Sequence, residues 1–244
     1  MVGMLGRALL DGLFPQTCAL CTQPAEREIP LCRYCERSLV PNTMACACCA
    51  LPLREPYPDA NLCIACQEAS FDFDRVVAPF VYDTALAHLI SRWKYAGSHS
   101  LTPLLGELWL AHARPGPLPD ILVPVPLHWR RLLRRGFNQA ELLAGYLVAN
   151  HPQLHSGQMV SGLLQRRRPA RVQAGLGASG RGDNAIGAFT LRGSCDNLRV
   201  ALVDDVCTTG ATADAASRVL HAGGASVVDV WCLARTPAPF SGIG

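Results

Sequence analysis

The chain has 244 residues, half of them hydrophobic and 17% charged, with a formal net charge of +3. That length suits one α/β domain with a small appendage. The charge is too small to require a nucleic-acid partner, which would depend on a local basic stripe rather than a global excess. Residues 1–14 place Arg7 and Asp11 inside the apolar stretch, which is unlike a secretion signal. The apolar face of Met4, Leu5, Ala8, Leu9 and Leu13 is expected to pack on the protein. No run of about 18 to 20 apolar residues occurs, so no membrane span is expected.

Nine of the twelve cysteines lie between Cys18 and Cys66, and only Cys195, Cys207 and Cys232 follow. With no export signal the expected compartment is the reducing cytoplasm, where structural disulfides are rare, so metal is the better reading. The cluster is four Cys-x-x-Cys turns: Cys18 with Cys21, Cys32 with Cys35, Cys46 with Cys49, and Cys63 with Cys66. Each turn aims two thiolates at one ion, and two turns complete a tetrahedral sulfur site. Two structural zinc sites follow, with no open position for catalysis. Zinc would supply folding free energy that this apolar-poor segment lacks, on the order of 10 kcal/mol per site. Cys48 could exchange with Cys46 or Cys49, and spacing alone leaves interleaved pairing open.

Beyond Phe71 strand and helix patterns alternate. Strands are expected at Arg75–Tyr82, Asp120–Pro126, Arg199–Val203 and Ala225–Leu233. Helices are expected at Ala85–Trp93, Leu101–His112, Gln139–Val148 and Ala211–Leu220. This alternation predicts a parallel sheet, with ligands beyond the carboxyl ends of its strands. The domains are expected to be 1–70, an N-terminal helix and zinc ribbons, and 71–244, the α/β unit.

The stretch Val200–Thr212 carries the most chemistry. An apolar strand runs into Asp204 and Asp205, then a turn of Thr208, Thr209 and Gly210, then an amphipathic helix that begins Ala211-Thr212. Such a turn converges backbone N–H groups and a helix N-terminus on an anion. The two acids would repel that anion unless they serve other ligand atoms; sugar hydroxyls are natural partners, and a divalent cation could help. Cys207 sits near the helix start, where a thiol can be activated, but its place in the strand exit favours a packing role. His88 and His221 lie on expected helices and are read as surface or core residues.

This stretch resembles the phosphoribosyl-pyrophosphate (PRPP) signature of type I phosphoribosyltransferases. The resemblance implies that Asp204 and Asp205 hold the ribose hydroxyls as the catalytic acids, and that Thr208, Thr209, Gly210, Ala211 and Thr212 hold the 5′-phosphate. By the same resemblance the segment Val123–Gln139 is the pyrophosphate side, with Arg134, Arg135, Gly136, Asn138 and Gln139 as donors. The polar, glycine-rich segment 166–184 then corresponds to a flexible lid.

Together with Ala45–Leu53, Trp93-Lys94-Tyr95, Gln173-Ala-Gly-Leu176 and Trp231–Thr236, these motifs resemble the ComF family of DNA uptake, a double zinc ribbon followed by a phosphoribosyltransferase-like domain. The resemblance adds Lys94, Gln173 and Arg181 to the pyrophosphate and lid side. It implies PRPP and Mg²⁺ as ligands, and single-stranded DNA and competence-machinery proteins as partners. The run Gly177–Asp183 departs from the family's usual charged stretch and would loosen the lid. Three functions stay open. One is transfer of phosphoribose to an unidentified acceptor; another is a non-catalytic DNA-binding adaptor in which bases stack on Trp129 or Phe137; the third is nucleotide salvage unrelated to DNA.

Overall fold

The computed structural model describes residues 16–25, 29–55, 61–95, 99–167 and 187–238. The expected N-terminal helix and most of the lid segment, including Gln173 and Arg181, lie outside the described residues. So does the apolar face of Met4 to Leu13.

The cysteine segment holds two short helices, α1 (Arg33–Ser38) and α2 (Ile64–Glu68). The α/β part follows with β1 (Arg75–Val77), β2 (Phe80–Val81), α3 (Thr84–Tyr95), α4 (Leu101–His112) and β3 (Ile121–Pro124). Next come α5 (Trp129–Arg135), α6 (Gln139–Asn150) and a hairpin of β4 (Leu164–Arg166) and β5 (Phe189–Leu191). The chain ends with β6 (Arg199–Val203), β7 (Val206–Cys207), α7 (Ala211–Ala222), β8 (Val227–Trp231) and β9 (Ala234–Arg235).

The central sheet has the order β1-β8-β6-β3 and every neighbouring pair is parallel. Both faces are covered, as a parallel sheet requires. Side-chain alternation along β6 shows the division. Ala201 and Val203 join Leu89, Trp93, Leu105, Trp109 and Leu143 on the face of α3, α4 and α6. Val200 and Leu202 join Ala216, Leu220 and Phe189 on the face of α7 and the hairpin. The expected single strand Arg75–Tyr82 is two strands, interrupted at Ala78-Pro79: β1 pairs with β8, and β2 pairs with β9. A second parallel sheet, β2-β9-β7, extends the first beyond its carboxyl edge.

The cysteine segment covers the exposed edge that β1 and β2 would otherwise present. Val76 N–H donates to the Cys48 carbonyl (2.7 Å) and Val81 N–H to the Val40 carbonyl (2.9 Å). Asn42 Nδ2 donates to the carbonyls of Ala50 (2.8 Å) and Ala78 (3.2 Å). The first ribbon packs with Leu31 and Leu39 into one core and the second packs into the other. Among the described residues, no helix is long and apolar enough to cross a membrane.

Candidate phosphate site and zinc centres

The four knuckles pair in sequence order. Cys18, Cys21, Cys32 and Cys35 form one tetrad, and Cys46, Cys49, Cys63 and Cys66 form the other, with the sulfurs of each within 4.8 Å of one another. Cys21 Sγ lies 3.7 Å from Cys32 Sγ, and Cys49 Sγ lies 3.6 Å from Cys63 Sγ. Tetrahedral zinc with Zn–S of about 2.3 Å sets sulfurs about 3.8 Å apart, so the residues fit the ion. Backbone N–H groups turn toward the sulfurs, as Cys35 N does to Cys32 Sγ (3.5 Å) and Cys63 N to Cys46 Sγ (3.3 Å). Cys48 stands outside the tetrad and anchors its turn to β1 through its carbonyl.

At the carboxyl end of β6 the chain turns through Asp204 and Asp205 into β7, then through Thr208 and Thr209 to α7. Gly210 caps that helix at φ 84°, a left-handed conformation that glycine adopts without the Cβ penalty. Thr208 and Thr209 are exposed, Thr212 half-buried and Gly210 buried. Thr209 Oγ1 accepts from Ala211 N–H (3.3 Å). Asp204, Thr208, Gly210 and Thr212 line a recess of about 30 Å³.

The acid pair is partly neutralised. Lys94 Nζ, from the last turn of α3, lies 2.8 Å from Asp205 Oδ2. Asp205 N–H donates to Asp204 Oδ1 (2.8 Å). Burial, and then the neighbouring Asp205 carboxylate, push the Asp204 carboxyl up to about 7, against the pull of Asp205 N–H, Lys94 and Arg166. Near neutral pH the two acids and the lysine therefore carry little net negative charge, which allows them to sit beside an anion cradle.

The second loop starts alongside the first, because Val125 N–H donates to the Val203 carbonyl (2.8 Å). Between β3 and α6 the basic stretch Trp129–Arg135 forms the helix α5. His128 Nδ1 caps it by accepting from Arg130 N–H (3.3 Å), and Gly136 at φ 79° ends it. Asn138 caps α6 and ties back through Nδ2 to the Val125 carbonyl (3.0 Å). Gln139 is buried, with Oε1 accepting from Arg135 Nη1 (3.0 Å). Arg134 is exposed on α5. The structure thus gathers Asp204, Asp205, Lys94 and the Thr208–Thr212 turn, and sets the Arg134–Gln139 segment on the adjoining loop.

A groove of about 530 Å³ runs along that loop, lined by Pro124, Pro126, Trp129, Leu132, Asn138 and Arg166 among others. Arg166 is one of the lining residues; its guanidinium lies 5.2 Å over the Phe189 ring, and its charge reaches Asp204. Arg166, the first residue of the expected lid segment, is instead the last residue of strand β4 in the hairpin, a position that nothing in its local sequence marks. Trp129 is 57% exposed with Arg130 5.2 Å over its ring, whereas Phe137 is buried against His99. Of the two aromatics considered for stacking, only Trp129 reaches solvent. Burial pushes the Cys207 thiol up, which agrees with a packing role. His221 bonds the Ala225 carbonyl (2.9 Å) and faces Asp74 (3.3 Å).

The chain matches the double zinc ribbon domain model over residues 9–67. It is 33% identical over 229 residues to the DNA utilization protein YhgH of Salmonella typhi, covering 91% of this chain and 98% of that protein. It is also 34% identical over 187 residues to competence protein F of Haemophilus influenzae, covering 72% of this chain and 79% of that protein. The chain belongs to the ComF family. A more distant ComF relative, competence protein ComFC of Streptococcus pneumoniae, is 28% identical over 65% of this chain and 67% of its own. Among solved structures, a purine phosphoribosyltransferase from Pyrococcus horikoshii Ot3 overlaps 60% of this chain and 73% of its own at 17% identity. Its TM-score of 0.28 is too low to carry an argument.

Proposed function

We propose that this ComF protein binds PRPP at the Asp204–Thr212 loop and acts in the handling of DNA taken up by the cell. The names of its relatives, DNA utilization protein and competence protein, support the second half. The first half rests on one observation: a strand-to-helix turn with exposed Thr208 and Thr209 beside an acid pair partly neutralised by Lys94. In this reading the N–H groups and hydroxyls of Thr208–Thr212 hold the 5′-phosphate. Asp204 and Asp205 accept from the ribose hydroxyls. Lys94, Arg134, Arg135 and Arg166 face the pyrophosphate, with Gly136 to Gln139 fixing the loop that carries it.

The reaction this arrangement fits is phosphoribosyl transfer. An acceptor nitrogen forms its bond to C1 as the C1–O bond breaks, and pyrophosphate leaves with the electron pair into a cluster of cationic side chains. Mg²⁺, when bound, would neutralise charge on the leaving pyrophosphate. The division of labour we infer places the zinc ribbons before residue 70 and the ligand site after it. Thiolate-held zinc also favours the reducing cytoplasm as the working compartment.

The ³¹P resonance of the PRPP 5′-phosphate tests the binding site directly. It should shift and broaden with zinc-loaded wild-type protein and Mg²⁺, and much less with Thr209→Val/Gly210→Ala. An unchanged resonance with wild type would sink the reading.

A second reading, a DNA-binding adaptor, is favoured by α5. Its exposed Trp129 lines the 530 Å³ groove together with Arg166 and Arg167, and the same short helix carries Arg130, Arg131 and Arg134, a combination that suits stacked bases and phosphates. Trp129→Ala separates the two readings, since it should weaken single-stranded DNA binding and leave PRPP binding intact.

A further inference from the structure

Arg235, at the end of β9, is 5% exposed, and its hydrogen bonds run to backbone carbonyls in two different parts of the molecule. On one side Nε donates to the carbonyl of Cys49, a ligand of the second tetrad (2.9 Å). On the other, Nη1 donates to the carbonyls of Cys207 (3.2 Å), Thr208 and Thr236 (3.1 Å). The strand register fixes this position, because Arg235 is the parallel partner of Cys207.

Peptide geometry gives the contacts a consequence. In a planar trans peptide the carbonyl of one residue and the N–H of the next point in opposite directions. Drawing the Cys207 and Thr208 carbonyls back onto Arg235 therefore turns the N–H groups of Thr208 and Thr209 away from it. The planar guanidinium can reach both sides at once, whereas a lysine ammonium is a single point and cannot span them. Cys49 in turn is held by its knuckle: its neighbours' carbonyls accept from Val76 N–H and Asn42 Nδ2, and its own sulfur lies within the tetrad.

We propose that Arg235 is a positioning residue that couples the second zinc tetrad to the phosphate loop, so that the loop's N–H groups face the anion only while Cys46, Cys49, Cys63 and Cys66 hold their ion. The effect on affinity rests on the PRPP reading above; the effect on loop order does not.

The test is hydrogen exchange of the 205–212 backbone in the full-length, zinc-loaded chain, alongside zinc content by native mass spectrometry and PRPP titration with Mg²⁺. Arg235→Gln removes the charge, and Arg235→Lys guards against a variant that fails to fold. With both zinc ions retained, Arg235→Lys should speed loop exchange and weaken PRPP binding, each by about tenfold, as expected for lost charge-assisted hydrogen bonds. Exchange over Arg199–Val203 should stay unchanged, which a general loss of stability would not allow. Unaltered loop exchange in Arg235→Lys would overturn the proposal.

Wild type offers the same test without substitution. During stepwise chelation the loop should lose protection together with residues 46–66 and ahead of β6; loss only together with β6 would overturn the coupling. Should wild type bind no PRPP yet show these exchange changes, the PRPP reading fails and the coupling stands.

Discussion

Replacing Asp204 with asparagine isolates the titration of one carboxyl. The folded protein holds that group at about 7, against 3.8 for an unperturbed aspartate. A raised carboxyl binds its proton more tightly in the folded state. Its stabilisation is complete below the unfolded value and is lost as pH rises through about 7. Between those limits folding stability falls by about 1.4 kcal/mol per pH unit, which integrates to about 2–3 kcal/mol from pH 5 to pH 8. The asparagine amide cannot titrate, and its oxygen can still accept from Asp205 N–H. Urea unfolding of both proteins across this range, with zinc saturating, should show Asp204→Asn gaining on wild type by that amount. Zinc-thiolate titration is common to both and cancels in the difference. A difference that stays flat with pH would refute the raised carboxyl, and with it the explanation of how two acids tolerate a neighbouring anion.

Lys94→Met removes a cation that pulls the Asp204 carboxyl down, so the same stability difference should level off at a higher pH than in wild type. Native mass spectrometry should find two zinc ions in wild type and in Cys48→Ser but one in Cys66→Ser, since Cys48 lies outside both tetrads. Gly210→Ala should cost about 1–2 kcal/mol in urea unfolding, because φ 84° places a Cβ in the left-handed region. Thr209→Val, which removes the hydroxyl that accepts from Ala211 N–H, should cost about 0.5–1.5 kcal/mol of stability and weaken PRPP binding.

Features whose chemistry is local were legible in the sequence. Four Cys-x-x-Cys turns carry their ligands at contiguous spacing, and Val200–Thr212 spells strand, turn and helix in one run; β6 and α4 begin and end where their apolar patterns do. Spacing could not choose between sequential and interleaved knuckles, because that choice is made by packing each ribbon against one face of the sheet. Helix α5 was hidden by its exposed Trp-Arg-Arg-Leu-Leu-Arg-Arg sequence, which has no buried face, although its ends are marked by His128 and Gly136. The β4–β5 hairpin has only three residues in each strand, too few to set a period. Arg235 reaches across 186 residues of sequence to Cys49, and nothing in its own neighbourhood announces that partner.

Calorimetric titration of PRPP with Mg²⁺ into zinc-loaded wild type and into Asp204→Asn/Asp205→Asn tests the central claim most directly. Saturable one-to-one binding by wild type, lost in the double variant while both zinc ions are retained, is the expected result. Wild type without measurable heat or saturation, at full zinc occupancy, would contradict the claim and leave single-stranded DNA as the ligand to titrate next.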